Sequence, residues 1–110
     1  MSDHPFSRTE GDLTYAISQA ALDGVAAAAA SAVDGVVVAD HRFKRPRGRG
    51  ADVTVVGERV RAQLEIACRY GTVLPSAAAA VQVGVADALR GLTGLMVEGV
   101  DVEIVAVTRP

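Results

Sequence analysis

The sequence contains no tryptophan and only one cysteine, and these scarcities exclude several classes of protein. Its 110 residues hold two tyrosines, two phenylalanines and two histidines. Cys68 has no second cysteine to pair with, so an internal disulfide framework and a four-ligand zinc site are both excluded. We therefore expect an intracellular protein that needs neither a metal nor another cofactor for its stability.

Long apolar runs are also missing. No stretch reaches the roughly 18 apolar residues that a membrane-spanning helix requires. Residues 1–10 mix acidic, basic and proline residues without the apolar segment of a signal peptide. The sequence therefore predicts neither a spanning helix nor secretion.

What is present is enough for one hydrophobic core. Half of the residues are hydrophobic and 22% are charged, as in a globular domain. A chain of this size buries roughly 65% of its unfolded surface. We expect a flexible leader over residues 1–10 and a single domain over residues 11–108.

The first helix is predicted after Ser18, which suits an N-cap. Apolar residues then recur at helical spacing up to Val33, and Gly35 suits the helix end. Gly24 lies inside this helix among small alanines, which predicts the close approach of a neighbouring backbone.

A second helix is predicted from Pro75, whose missing N–H does no harm in a first turn, to about Arg90. Gly91 and Gly94 provide its end. Its apolar stripe consists of Ala78, Val81, Val85, Ala88, Leu89 and Leu92.

Strands account for the other apolar stretches. The clearest covers residues 60–70, where apolar and polar side chains alternate as in a sheet with one solvent-exposed face. The element order is β-α-β-β-β-α-β, which predicts an α+β two-layer sandwich with both helices on one face of a mixed sheet. The five strands are expected at residues 13–17, 35–39, 52–56, 60–70 and around 100–106.

Charge is distributed unevenly along the chain. The formal net charge is −2, yet residues 41–50, HRFKRPRGRG, carry five cations and no acid. Proline and glycine in this segment favour a loop. It is the candidate site for a partner or an anion such as lipid or nucleic acid, alongside the simpler interpretation of a solvated loop. The candidate residues are Arg42, Lys44, Arg45, Arg47 and Arg49.

No catalytic set is apparent. Cys68 falls on the apolar face of its predicted strand, where a thiol behaves as a small hydrophobic side chain. Asp101 and Glu103 alternate on the last strand, which is typical of a solvated face. Residues 91–94 spell G-x-x-G, but a helix precedes them and a strand follows, unlike the clamp of KH modules. We expect no catalytic residues, no metal site and no enzymatic activity.

Several short segments together carry a family resemblance. They are residues 29–36 (AASAVDGV), Arg69-Tyr70-Gly71 with Leu74-Pro75, Val81-Gln82, and Thr93-Gly94-Leu95 leading to Val100-Asp101-Val102. In order and spacing the chain resembles the alkaline shock protein family, the general-stress or envelope stress response family of Gram-positive bacteria. The resemblance extends over about residues 11–107.

The resemblance implies a cytosolic stress-response domain without catalytic residues. It also implies cell-envelope homeostasis, self-association into homo-oligomers, and docking to a small membrane-anchored partner at the inner face of the cell membrane. The alternative is a nucleic-acid-binding module that uses the basic loop 41–50 and a sheet face. Against this alternative, the polar strand face offers no aromatic platform for stacking bases.

Overall fold

A computed structural model of the chain describes residues 5–39 and 50–109. Six strands and two helices form within these ranges, in the order ββαβββαβ. The strands belong to two separate sheets. The elements are β1 (Phe6–Glu10), β2 (Leu13–Ile17), α1 (Gln19–Ser31), β3 (Val36–Val38), β4 (Ala51–Val56), β5 (Arg59–Arg69), α2 (Leu74–Thr93) and β6 (Met96–Thr108).

Strand β5 is the centre of the main sheet. Strands β3 and β4 both pair antiparallel with one edge of β5, one behind the other, while β6 pairs parallel with the opposite edge. The sheet is therefore mixed, as the sequence predicts. Two residues of β6, Glu98 and Val105, have no partner on β5 because the register shifts at these points, which is the pattern of a β-bulge.

Both helices cover the same face of the main sheet. The alternating apolar residues of β5, from Val60 to Cys68, share one core with the buried stripes of α1 and α2. The predicted two-layer α+β architecture is thus confirmed. The fully buried large side chains include Leu22, Val53, Val60, Leu64, Ile66, Val81, Val85 and Leu89.

Helix α1 begins as predicted but ends earlier. The Ser18 hydroxyl accepts a hydrogen bond from the Ala21 N–H at 3.1 Å, which is N-capping. The predicted role of Gly24 is wrong, because a Cβ added there meets nothing within 4 Å. The close approach of the helices lies instead at Gly84, whose ideal Cβ position is 3.7 Å from the Ala29 carbonyl oxygen.

In α2 the buried stripe is rotated slightly from the predicted one. Ala77 and Thr93 are buried, whereas Leu92 is exposed. The Thr93 hydroxyl donates to the Leu89 carbonyl at 2.8 Å and accepts from the Leu95 N–H at 3.1 Å. A buried hydroxyl with both partners costs little, so a polar residue takes the position that an apolar one was expected to fill.

The leader prediction is wrong over Phe6–Glu10, which form strand β1. Strand β1 pairs antiparallel with β2, and the two form a sheet of their own, which we call the β1–β2 ribbon. Strand β2 has the predicted bounds, but it does not join the main sheet. A segment with a single apolar residue, Phe6, gives no alternation signal, so only its pairing with β2 reveals the strand.

Candidate interaction surface

The predicted site residues Arg42, Lys44, Arg45, Arg47 and Arg49 lie outside the residues that the structure describes. Their role stays a prediction. The structure does place the two residues between which the segment 40–49 is attached, Ala39 and Gly50.

Both attachment points face one residue of the central strand. The Ala39 N–H donates to the Glu65 carbonyl oxygen at 2.7 Å, and the Glu65 N–H donates to the Gly50 carbonyl oxygen at 2.7 Å. Because β3 ends just before Ala39 and β4 begins just after Gly50, they occupy one edge of β5 almost without a break. The segment 40–49 is therefore an insertion at a single point of an edge strand.

The backbone at this point tolerates only glycine. Gly50 has φ +72°, and an added Cβ would lie 2.8 Å from Val38 Cγ1 and would contact the Ala39 carbonyl oxygen. A left-handed conformation without space for a side chain is the situation in which glycine is required.

The outer face of the main sheet, opposite the helices, is a mainly polar surface. Cross-strand rows on this face run from Arg59 and Arg61 at one end, through Gln63 and Glu65, to Ala67 and Arg69. The sequence predicts this polar face correctly, except that Ala67 is buried. Tyr70, whose place in the alternation over residues 60–70 predicts that it shares the apolar face with Val60 and Leu64, instead lies beyond the end of β5 and is 74% exposed.

Arginines cross this face in an ion-pair network. Arg61 contacts Glu98 and Asp101, each at 3.3 Å, and Arg59 contacts Glu98 at 3.6 Å. The Arg61 guanidinium lies over Gly99, where an added Cβ would be 3.3 Å from Nη1. Exposed ion pairs contribute little to stability, so the network chiefly fixes the side chains that this face presents.

A shallow trough of about 420 Å³ lies on the same face next to Gly50. Four carboxylates, those of Asp52, Glu65, Asp101 and Glu103, are among the residues that line it. Acidic side chains therefore lie close to the attachment points of the basic segment.

The cysteine thiol is not available for chemistry. Cys68 is buried in the core, and desolvation by burial raises its pKa above the ordinary 9.0. A thiol that remains protonated and enclosed is a poor nucleophile. In the described part of the chain, no group of three or more His, Cys, Asp or Glu side chains could hold a metal ion.

Helix side chains cover backbone groups at both edges of the sheet, a feature that the sequence analysis missed. On the β4 edge, the Val53 N–H donates to the Asp23 carboxylate at 2.8 Å, and Gln19 donates to the Val53 carbonyl at 2.5 Å. On the β6 edge, Gln82 donates to the Val100 carbonyl at 3.1 Å. Such contacts block edge-to-edge pairing with other chains.

The β1–β2 ribbon presents a mixed apolar and charged face. Phe6 and Tyr15 rings are 6.3 Å apart, and the Arg8 guanidinium lies 5.4 Å from the Phe6 ring centroid. At the base of the ribbon Phe6 is buried and Arg8 approaches Gly94. Toward the tip, Leu13 is 62% exposed and Tyr15 is 36% exposed.

No helix within residues 5–39 and 50–109 combines the length and the apolar character needed to cross a membrane. A family model matches residues 7–109, nearly the whole chain, and it describes the Asp23 family, with cell envelope-related function. No curated protein sequence matches the chain.

Solved structures of the MamM CTD resemble this chain in fold. A triple variant is 21% identical with a TM-score of 0.48, and the match covers 83% of this chain and 94% of that one. A copper form is 20% identical with a TM-score of 0.47, covering 83% and 96%. A nickel form is 20% identical with a TM-score of 0.48, covering 83% and 98%.

Proposed function

The chain belongs to the Asp23 (alkaline shock protein) family, whose function is related to the cell envelope, and from that membership we propose that it acts as a non-enzymatic scaffold in envelope stress and homeostasis. It associates with itself and docks to a small membrane-anchored protein from the cytosolic side. The observation that carries the proposal is the outer face of the main sheet, which displays its charges on an open surface instead of collecting them in an enclosed cleft.

The chemistry of the core supports a role without catalysis. Cys68, the one strong nucleophile of the sequence, is enclosed and kept protonated. Thr93, the buried polar side chain of the described core, has its hydroxyl fully engaged by its own helix end. These groups stabilise the domain, and we assign its function to contacts made by its surfaces.

We propose that the basic segment 41–50 contributes to docking by contacting an anionic surface of the partner or of the membrane. Its insertion at Glu65, between Ala39 and Gly50, leaves the sheet pairing on either side intact. Five cations provide at most about 5 kcal/mol, at about 1 kcal/mol each. Once the cost of ordering the segment is subtracted, this corresponds to roughly millimolar binding. Assembly of two or more copies supplies the multivalency that such weak contacts need.

Nucleic-acid binding is the alternative, and the sheet face opposes it. A phosphate backbone that reached from the basic segment onto this face would meet Asp52, Glu65, Asp101 and Glu103. An RNA-binding measurement with a salt titration separates the two functions, because phosphate contacts produce a steep salt dependence. Submicromolar binding with a steep slope would support the alternative and contradict the scaffold proposal.

Cell fractionation tests the docking directly. We expect the full chain to sediment with membranes when the membrane-anchored partner is present and to remain in the supernatant when the partner gene is deleted. The chain carrying Glu58→Arg, a charge reversal in the exposed β4–β5 turn, is the matched control and should behave like the wild type. Sedimentation that persists after deletion of every candidate membrane protein would refute partner docking and indicate direct lipid contact.

A further inference from the structure

The β1–β2 ribbon is an incomplete sheet. Among residues 5–39 and 50–109, its strands pair with each other and with no other strand. A two-stranded hairpin is at best marginally stable in water, and further strands normally complete it. The ribbon also exposes Tyr15, a residue type enriched at the energetic centres of protein interfaces.

The hairpin turn determines which backbone groups of β1 are available to a further strand. Glu10 and Leu13 are the last pair before the two-residue turn, in which Gly11 has φ +59°. In a two-residue hairpin this closing pair is hydrogen-bonded, and hydrogen-bonded pairs then alternate along the strands. Arg8 therefore bonds to β2, whereas the backbone N–H and C=O groups of Ser7 and Thr9 point away from it.

The charges of β1 distinguish the registers in which a second β1 could use those groups. In an antiparallel pairing centred on Thr9, Arg8 of each copy lies opposite Glu10 of the other. In the pairing centred on Arg8, two arginines face each other across the symmetry axis. Opposite charges on directly opposed residues stabilise a strand pair and like charges destabilise it. The sequence Arg8-Thr9-Glu10 therefore favours the register centred on Thr9, which forms two such opposite-charge pairs, whereas a pairing centred on Ser7 forms none and one centred on Arg8 opposes two like charges.

We propose that a second copy of this chain completes the ribbon through antiparallel pairing of the two β1 strands about Thr9. The product is a four-stranded sheet in the order β2-β1-β1-β2, with a two-fold axis that closes the assembly at two copies. Arg8, Glu10, Leu13 and Tyr15 share one face of the ribbon, so the exposed apolar side chains of both copies become continuous. The inference rests on the self-association in the proposed function and assigns a surface to it.

Two charge reversals test this pairing in the full chain. Arg8→Glu alone would oppose two glutamates at each contact, and Glu10→Arg alone would oppose two arginines. We expect either variant to dimerise about tenfold more weakly than the wild type in sedimentation analysis. An equimolar mixture of the two should recover dimerisation, because every contact in the heterodimer then joins opposite charges.

Thr9→Pro is an independent variant, because it removes an outward-pointing N–H without removing a backbone hydrogen bond to β2. It also removes the exposed hydrogen bond of 3.0 Å between the Thr9 and Thr14 hydroxyls, and Thr9→Val, which loses this bond but keeps the N–H, is the control for that loss. We expect Thr9→Pro to abolish dimerisation while the circular dichroism spectrum and the melting temperature stay close to wild type. Glu58→Arg again serves as the control for a charge change away from the ribbon.

Each outcome bears on a different claim. If the variants dimerise like the wild type, or if the mixture does not regain dimerisation, pairing through β1 is wrong although self-association stands. Loss of dimerisation on substitution of Thr14, whose backbone groups point away from β1, would then indicate pairing through the β2 edge. A wild-type chain that stays monomeric at every concentration would refute the self-association in the proposed function, and this inference with it.

Discussion

Two glycines of this chain, Gly50 and Gly24, should respond oppositely to substitution by alanine. Gly50 combines φ +72° with contacts to Val38 and Ala39 that leave no room for a Cβ, whereas Gly24 lies in a helix with nothing within 4 Å. We expect Gly50→Ala to destabilise the protein by about 2 kcal/mol or more. Gly24→Ala should instead stabilise it by about 0.5–1 kcal/mol, since alanine is the better helix former.

Urea denaturation of the two glycine variants checks both signs at once. A Gly50→Ala chain as stable as the wild type would show that the junction of the basic segment can rearrange, and with it that the segment's position in the sheet is not fixed.

The raised pKa of Cys68 predicts a loss of stability in alkaline solution. Burial favours the neutral thiol, so the folded state keeps its proton above pH 9.0, where an exposed thiol ionises. The unfolded state then binds fewer protons than the folded state, and stability falls as pH rises. The contribution of Cys68 is complete below the pKa of the unfolded chain and is lost as pH rises through the pKa of the folded chain.

Comparison with Cys68→Ala isolates this contribution. The substitution costs about 1 kcal/mol near neutral pH through the small cavity it leaves. We expect the difference in unfolding free energy between wild type and variant to shrink from about pH 7 to about pH 10, because only the wild type carries the thiol. A difference that stays constant would mean that Cys68 is not shielded.

At the scale of elements, substitution of the side chains that bond to the sheet edges should both lower stability and increase aggregation. Asp23→Ala removes the acceptor for the Val53 N–H, and Gln82→Ala removes the donor to the Val100 carbonyl. We expect losses of about 1–3 kcal/mol for Asp23→Ala and about 1 kcal/mol for Gln82→Ala. Both variants should also aggregate faster, because they expose backbone groups on edge strands.

Asp87→Ala is the control, since the exposed Asp87–Arg90 ion pair joins two residues of α2 and satisfies no backbone group of a strand. It should change stability by less than about 0.5 kcal/mol and leave light scattering unchanged. Equal aggregation of all three variants would contradict a protective role for the edge contacts.

Local patterns predicted most of the main sheet and both helices. Alternation gave β5 to within one residue at each end, Ser18 and Pro75 marked the helix starts, and the side assigned to the helices was correct. These features follow from periods of 2.0 and 3.6 residues, which a single segment displays without reference to any other.

Features that arise between elements were not predictable in the same way. Strand β1 has one apolar residue and exists through its pairing with β2. In the sequence, Asp23 and Gln82 cannot be distinguished from ordinary surface residues of a helix. Their hydrogen bonds to strand backbone groups exist only because the helices pack beside the edges of the sheet. The bulges at Glu98 and Val105 allow β6, with thirteen residues, to pair along β5, with eleven. They too arise only when the two strands lie side by side. Sequence periodicity therefore predicted the core residues but not the hydrogen bonds between helix side chains and the edges of the sheet.

Across the whole molecule, the two proposed contact surfaces are separated. The Arg8 side chain of the ribbon contacts Gly94, just before β6 begins beside Arg59, and the basic segment attaches opposite Glu65, six residues along β5 from Arg59. At about 3.3 Å per residue this is a separation of about 20 Å along the sheet. In the proposed dimer, the two basic segments are attached away from the paired β1 strands, so that two weak anion contacts could act together.

This separation predicts that the two activities can be removed independently. Arg45→Glu combined with Arg47→Glu replaces two cations of the segment by anions. In the solvated loop that the sequence predicts here, such charges change stability by about 0.5 kcal/mol or less. We expect the melting temperature to move by less than about 4 °C and dimerisation to match the wild type, while the membrane-bound fraction falls sharply. Arg8→Glu should weaken dimerisation directly and reduce the membrane-bound fraction only through the lost multivalency.

Two outcomes for the Arg45 and Arg47 variant would contradict these expectations. A large drop in its melting temperature would show that these side chains pack against the domain. Unchanged membrane binding would show that docking uses another surface.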